Sequence, residues 1–152
     1  MRKYNTLLIV LLIFLMSCGY KPIFSSKDKM FSINNIEFLT ANKINSKIEN
    51  QLKIYQENKN KSKFYDLVIG INTKKTISLR DSSGDPKIFL MSIDVNVNVQ
   101  ENNNSIGNKN FSEDFSYNNM ENKFDLSKYE KNIENNIINK ITERIVTYLH
   151  SI

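Results

Sequence analysis

Strict alternation of apolar and polar residues over positions 89–99 is the clearest pattern in the chain. One side of this stretch is apolar and the other is polar: the first carries Phe89, Met91, Ile93, Val95, Val97 and Val99, and the second Ser92, Asp94, Asn96 and Asn98. A period of two predicts a β-strand with one buried and one solvated face.

Three further strands are predicted around this one. The first carries Ile33 and Ile36, with a bulge at Asn34-Asn35. The second covers residues 65–73 and can continue to Leu79, and the last covers residues 111–117, where Glu113 interrupts the apolar side. The polar segments 80–86 and 101–105 predict turns on either side of the central strand.

Two segments have the apolar spacing of helices. Ile44, Ile48, Leu52 and Tyr55 fall on one face of a first helix, and Ile133, Ile137, Ile141 and Ile145 on one face of a second, longer helix that runs nearly to the C-terminus. Ser127 and Glu130 match a capping box at the start of the long helix, and Asp125 is a rival cap.

The order strand, helix, three strands, helix predicts an α+β fold. Each helix has one apolar face, so the economical packing places both helices on one face of a four-stranded, mostly antiparallel sheet. Residues 31–152 then form a single domain. The pattern leaves open which strand neighbours which.

The N-terminus carries the signature of an exported lipoprotein. Arg2 and Lys3 precede an apolar run over residues 7–16, which is typical of a secretory signal and shorter than the roughly 20 residues that span a bilayer. The end of the run and the residues after it, 15–19, include Cys18, the only cysteine, and resemble the bacterial lipobox. We expect residues 1–17 to be removed, Cys18 to be acylated, and residues 18–30 to form a lipidated tether. An ordinary signal peptide followed by a chance cysteine is the alternative.

Charge and composition exclude several functions. The net charge of +5 is weak and mixed with acidic residues, which argues against nucleic acid as a partner. The single histidine, His150, lies at the end of the long helix, where a cation suits the helix dipole. The acidic pairs Asp81/Asp85 and Glu113/Asp114 fit turn and edge positions. We therefore predict a protein that is not an enzyme and has no metal or cofactor besides the lipid on Cys18.

The segment Cys18–Phe24 resembles the Cys-Gly-aromatic-x-Pro-hydrophobic-aromatic start of the alphaproteobacterial lipopolysaccharide-assembly lipoproteins, the LptE family. The layout that follows is also similar, from the early strand to the long closing helix. The chain departs from that family in being short and in having a first helix rich in Lys and Asn rather than Arg.

The resemblance implies a function in the outer membrane. It implies an LptD-like β-barrel as partner, with the lipoprotein acting as barrel plug and folding aid in lipopolysaccharide assembly. Gly19, in place of Asp, implies sorting to the outer membrane, on its periplasmic side. Arg80 and Lys87 become candidates for contact with lipopolysaccharide phosphates, and Lys74 and Lys75 weaker ones.

Two alternatives stay open at this point. Arg80 and Lys87 are explained more simply as solvated turn residues. The chain as a whole is also compatible with a stand-alone envelope lipoprotein that binds a ligand or an envelope component without a barrel.

Overall fold

The predicted order of strands and helices is confirmed. The computed structural model describes residues 31–56 and 63–152. Its elements, in chain order, are β1 (Phe31–Phe38), α1 (Asn45–Leu52), β2 (Lys63–Arg80), β3 (Pro86–Glu101), β4 (Asn104–Asn118) and α2 (Lys123–Ser151), with a short 3-10 turn, Lys53–Tyr55, after α1. The predicted signal peptide, Cys18, Gly19 and the tether lie outside the described residues.

The four strands form one mixed sheet in the order β1-β2-β3-β4. The β2/β3 and β3/β4 pairs are antiparallel hairpins, whereas β1 runs parallel to β2. A parallel neighbour needs a crossover connection, and α1 lies in it. The register of β1 shifts between Ile33 and Asn35, which confirms the predicted bulge.

One face of the sheet is buried by the helices. Across the three long strands, Ile71 is the register partner of Val95, and Val95 is the partner of Phe111. The apolar stripe of α2 packs on this face, and its fully or nearly fully buried members are Leu126, Ile133, Ile137, Ile138, Ile141, Ile145, Val146 and Leu149. Removing this apolar surface from water is the main stabilising contribution to the fold.

The start of α2 differs from the prediction. The helix begins at Lys123, four residues before the predicted capping box, and its N-cap is Asn122. The Asn122 side chain accepts hydrogen bonds from the backbone N–H groups of Phe124 and Asp125, at 3.0 and 3.4 Å. Both the Ser127 box and the Asp125 cap are therefore wrong, because these donors of the first turn are already satisfied upstream.

The two hairpin turns have different chemistry. Asn102 and Asn103 connect β3 to β4 with φ of 51° and 64°, the left-handed pair that a two-residue type I′ turn requires. In the β2–β3 turn, Asp81 accepts from the backbone N–H groups of Ser83 and Asp85, both at 2.9 Å. Gly84, at φ 87°, reverses the chain there.

The sheet divides into two halves along its strands. We call the end near the β2–β3 turn, residues 74–92 and 112–123, the tip, and the rest of the described domain the root. In the root, α1 packs on β1 and alongside the middle of α2, where Lys47 pairs with Glu134 at 2.5 Å and Gln51 donates to Asn139 at 2.6 Å. In the tip, α2 is the helix that covers the sheet.

Candidate functional site

The tip brings two of the four predicted cationic residues together. Arg80 is the register partner of Pro86, so Arg80 and Lys87 flank the same turn. The Arg80 guanidinium donates to the backbone oxygen of Gly84 at 2.7 Å and so closes the turn. Lys87 is exposed on the other strand. The turn therefore presents one cation held by the backbone and one directed to solvent.

The other two predicted cations are separated from this pair. Lys74 and Lys75 are consecutive on β2, so their side chains point to opposite faces of the sheet. Both lie about 15–20 Å along the strand from Arg80, at roughly 3.3 Å per residue. The ammonium group of Lys75 pairs with Glu130 of α2 at 2.5 Å and lies 4.3 Å from the centre of the Phe89 ring. Lys75 thus serves to attach α2 to the sheet.

Glu130 is the centre of this attachment. It also accepts a hydrogen bond from the Tyr117 hydroxyl on β4 at 2.8 Å, so one carboxylate joins β2 and β4 to the helix. Burial, together with the bond to the carboxylate, raises the pKa of Tyr117 well above its usual range. The phenol therefore stays a donor at physiological pH.

A groove of about 640 Å³ runs between the β2–β3 turn and the β4–α2 loop. Its lining is mixed, with Pro86, Phe89, Asn119 and Met120 beside the charged Asp81, Asp85, Lys87, Glu121 and Lys123. Lys123 was missed from the sequence because the predicted helix start left it in a loop. The ammonium group of Lys123 donates to Asn119 Oδ1 and to the backbone oxygen of Met120, both at 3.3 Å. With three acidic and two basic side chains, the lining carries charges of both signs and is not purely cationic.

The face of the sheet opposite the helices is polar over the middle of β3 and β4. It is built from amide, hydroxyl and carboxylate side chains in register across β3 and β4. Asn96 donates to Asn108 at 2.9 Å, and Ser112 donates to Asp94 at 2.6 Å. At the tip the same face carries the apolar residues Leu79, Ile88 and Leu90, so the polar surface is confined to the part of the sheet nearer the root.

The outer margin of β4 carries a second charged cluster. Glu113 is bound by Lys140 at 2.5 Å and by Arg144, both from α2. The hydrogen bond and the charge of Lys140, followed by those of Arg144, lower the pKa of the Glu113 carboxyl. Arg144 also donates to the backbone oxygen of Ser112 at 3.2 Å. The sequence showed Glu113 as a break in an apolar side and as a member of an acidic pair at an edge position, without its partners on α2.

His150 has a local partner as well as a packing contact. Its Nδ1 lies 2.8 Å from the Val146 backbone oxygen, and its ring meets the Phe31 ring edge-on at 4.9 Å. Over residues 31–56 and 63–152, no group of three potential metal-ligating side chains occurs. Within the same ranges, no helix combines the length and apolar character needed to cross a membrane.

Solved bacterial lipoproteins share this fold. Rare lipoprotein B from Shewanella oneidensis superposes with a TM-score of 0.58 at 8% identity, over 78% of this chain and 95% of its own. A minor lipoprotein from Acinetobacter baumannii gives 0.57 at 14% identity, over 76% and 88%. Lipoprotein B from Nitrosomonas europaea gives 0.59 at 14% identity, over 84% and 88%.

Similarity is confined to the structural level. No family profile matches the sequence, and no curated protein is similar to it. At these identities the superpositions establish the fold and not the activity. The described residues therefore form an α+β domain with the fold of these bacterial lipoproteins.

Proposed function

We propose that this protein is an outer-membrane lipoprotein of the LptE type. In this proposal Cys18 carries the lipid, and the domain acts with an LptD-like β-barrel in lipopolysaccharide assembly, as plug and folding aid. The observation that carries the proposal is the fold shared with three bacterial lipoproteins, in a chain whose start resembles an LptE lipobox.

The polar sheet face supports the role of a plug. The lumen of a large outer-membrane barrel is lined with polar side chains. The amide and hydroxyl groups of β3 and β4 can exchange hydrogen bonds with such a wall, directly or through water. A helix-covered face and an uncovered polar face together suit a domain that is held inside a wet channel.

A pull-down from detergent-solubilised membranes tests the proposal. The full chain carries a C-terminal tag on a flexible linker, and a Cys18→Ser variant serves as the unanchored control. We expect one large β-barrel to co-purify with the wild-type chain at near-equal stoichiometry. Recovery of the wild-type protein alone from outer membranes would contradict the barrel partnership and favour a stand-alone envelope lipoprotein.

Lipopolysaccharide contact at the tip is a separate part of the proposal. Lys87 is exposed beside the groove, whereas Lys75 is paired with Glu130, so Lys87 is the stronger candidate. We expect Lys87→Glu to weaken lipopolysaccharide binding, because the new carboxylate repels the phosphates. Lys43→Glu, at an exposed residue of the root, is the matched control. Equal losses in both variants would remove the tip from the proposal.

A further inference from the structure

The outer edge of β4 is an unpaired strand margin. β4 is the last strand in the spatial order, and no other strand of the described ranges pairs with its outer side. The strand is 15 residues long, has no proline and keeps a regular register with β3 from Gly107 to Asn118. Natural sheets usually protect such edges with bulges, prolines or short strands.

The hydrogen bonds show which backbone groups face outward. Arg144 donates to the Ser112 oxygen from the outer side, whereas the Asn119 N–H bonds inward to Lys87 of β3. Backbone groups of successive residues point to opposite edges of a strand. The even-numbered residues of this stretch therefore present their N–H and C=O groups outward: Asn108, Asn110, Ser112, Asp114, Ser116 and Asn118.

Three cations, Lys109, Lys140 and Arg144, lie beside this edge on the face of the sheet that α2 covers, and we call them the basic strip. Lys109 lies 5.0 Å from the Tyr148 ring centre, and the side chains of Lys140 and Arg144 are 64% and 45% exposed. Glu113 is the carboxylate among them. Glu143 lies on the other side of α2, where it lines a second groove, between α2 and α1. The strip thus holds three cations against one anion.

The unpaired edge of β4 and the basic strip beside it together indicate which kind of partner would bind there. We infer that β4 binds an extended acidic segment of a partner protein as a fifth strand, with carboxylates on the basic strip. Its backbone bonds go to the outward groups of the even-numbered residues, apart from the Ser112 oxygen, which already accepts from Arg144. A second copy of the chain suits this edge less well. Antiparallel pairing centred on Ser112 would bring the Lys140 and Arg144 side chains of both copies together, and like charges at such short range repel.

This inference is independent of the barrel proposal. The wall of a closed barrel has no free strand edge, so a lumen can contact the polar sheet face but cannot extend the sheet at β4. The acidic strand therefore belongs to a partner segment other than the barrel wall. Failure of the pull-down would leave the edge and its charge unchanged.

Peptide binding to the full chain in detergent provides the test. The probe is a fluorescein-labelled peptide of about nine residues that alternates Glu and Thr, and its matched control replaces every Glu with Lys. In low salt, we expect the acidic peptide to bind at least about tenfold more tightly than the lysine peptide. This difference in affinity should shrink as salt is added. Equal binding of both peptides would overturn the inference.

One proline distinguishes strand addition from simple charge attraction. Asn110→Pro removes an outward N–H and leaves the inward bonds of Phe111 to β3 in place, as proline on an edge strand does. We expect this variant to lose most of the binding while Asn110→Ala retains it. An acidic peptide that is N-methylated on alternate residues should also fail, without any change to the protein. Retained binding in both cases would overturn strand addition.

The oligomeric state gives the remaining outcome. Light scattering of the wild-type chain over a range of concentrations should show no self-association through this edge. A dimer that Asn110→Pro dissolves and Asn110→Ala preserves would identify a second copy as the occupant and overturn the acidic partner.

Discussion

In the root, the inward side chains of β2 and β3 are buried in the core that the two helices close, whereas in the tip the same side of the same strands stays partly open. Leu67 and Ile69 are 1% and 0% exposed, but Ile77, farther along β2 on the same side, is 40% exposed. The apolar pattern is similar in both halves. What differs is the number of helices above it, so alternation determines the side a residue faces but not whether that side is covered.

The largest expected effect is loss of packing in the root. Ile141 is fully buried on α2, and Ile141→Ala should lower the free energy of unfolding by about 2–5 kcal/mol. Ile77→Ala in the tip is the matched control and should cost less than about 1 kcal/mol, because much of that side chain is already in water. Urea denaturation followed by circular dichroism measures both. Equal losses would remove the distinction between the halves.

The next effect concerns the attachment of α2 to the tip. Glu130→Ala removes the acceptor shared by Lys75 and Tyr117, and leaves the part-buried phenol without this partner. We expect a loss of about 1–3 kcal/mol in unfolding free energy. Combining this change with Tyr117→Phe should recover part of the loss, because the orphaned hydroxyl is then absent. A double variant no more stable than Glu130→Ala would argue against the shared bond.

Acidic pH should weaken the ion pairs that join β4 to α2. Lys140 and Arg144 hold the pKa of Glu113 below its usual value in the folded state. The ion pairs of Glu113 therefore stabilise the folded state at pH values above the unfolded-state pKa of this carboxyl, about 4.3. That stabilisation is lost as the pH falls through its lower folded-state pKa. Unfolding curves between pH 6 and 2 should show a smaller acid loss for Glu113→Gln than for wild type. Parallel pH profiles would contradict the pairing.

The smallest effect is expected at the β3–β4 turn, which is at the root end of the sheet. Asn103 has a positive φ of 64°, a conformation that glycine adopts without steric cost. Asn103→Gly should therefore raise stability by up to about 0.5 kcal/mol, and Asn103→Ala should lower it by about 1 kcal/mol. Thermal melts of the two variants measure the difference. A stabilised alanine variant would contradict the type I′ turn.

Much of this architecture could be predicted from local patterns. The strands, both helices and the bulge in β1 follow from periods and turn residues within short windows. The parallel pairing of β1 with β2 could not, because it depends on where α1 returns the chain. Glu113 could not be interpreted either, since its partners Lys140 and Arg144 are 27 and 31 residues away.

The candidate site was predicted only in part. Arg80 and Lys87 meet at the tip because a turn joins their strands, which the sequence indicated. The ion pair between Lys75 and Glu130 could not be predicted, because it depends on α2 crossing the sheet. The place of Lys123 beside the groove could not be predicted either, because it depends on the helix beginning after the Asn122 cap. The basic strip beside β4 combines residues of a strand and a distant helix, so no local pattern marks it.

The position of α2 after all four strands determines when the domain can fold. This helix provides most of the cover for the sheet, and it is synthesised after all four strands. Until Ile141, Ile145 and Leu149 arrive, the strands have no apolar surface of comparable size to bury against. A chain that is synthesised N-terminus first therefore remains without a complete core until α2 has also been made.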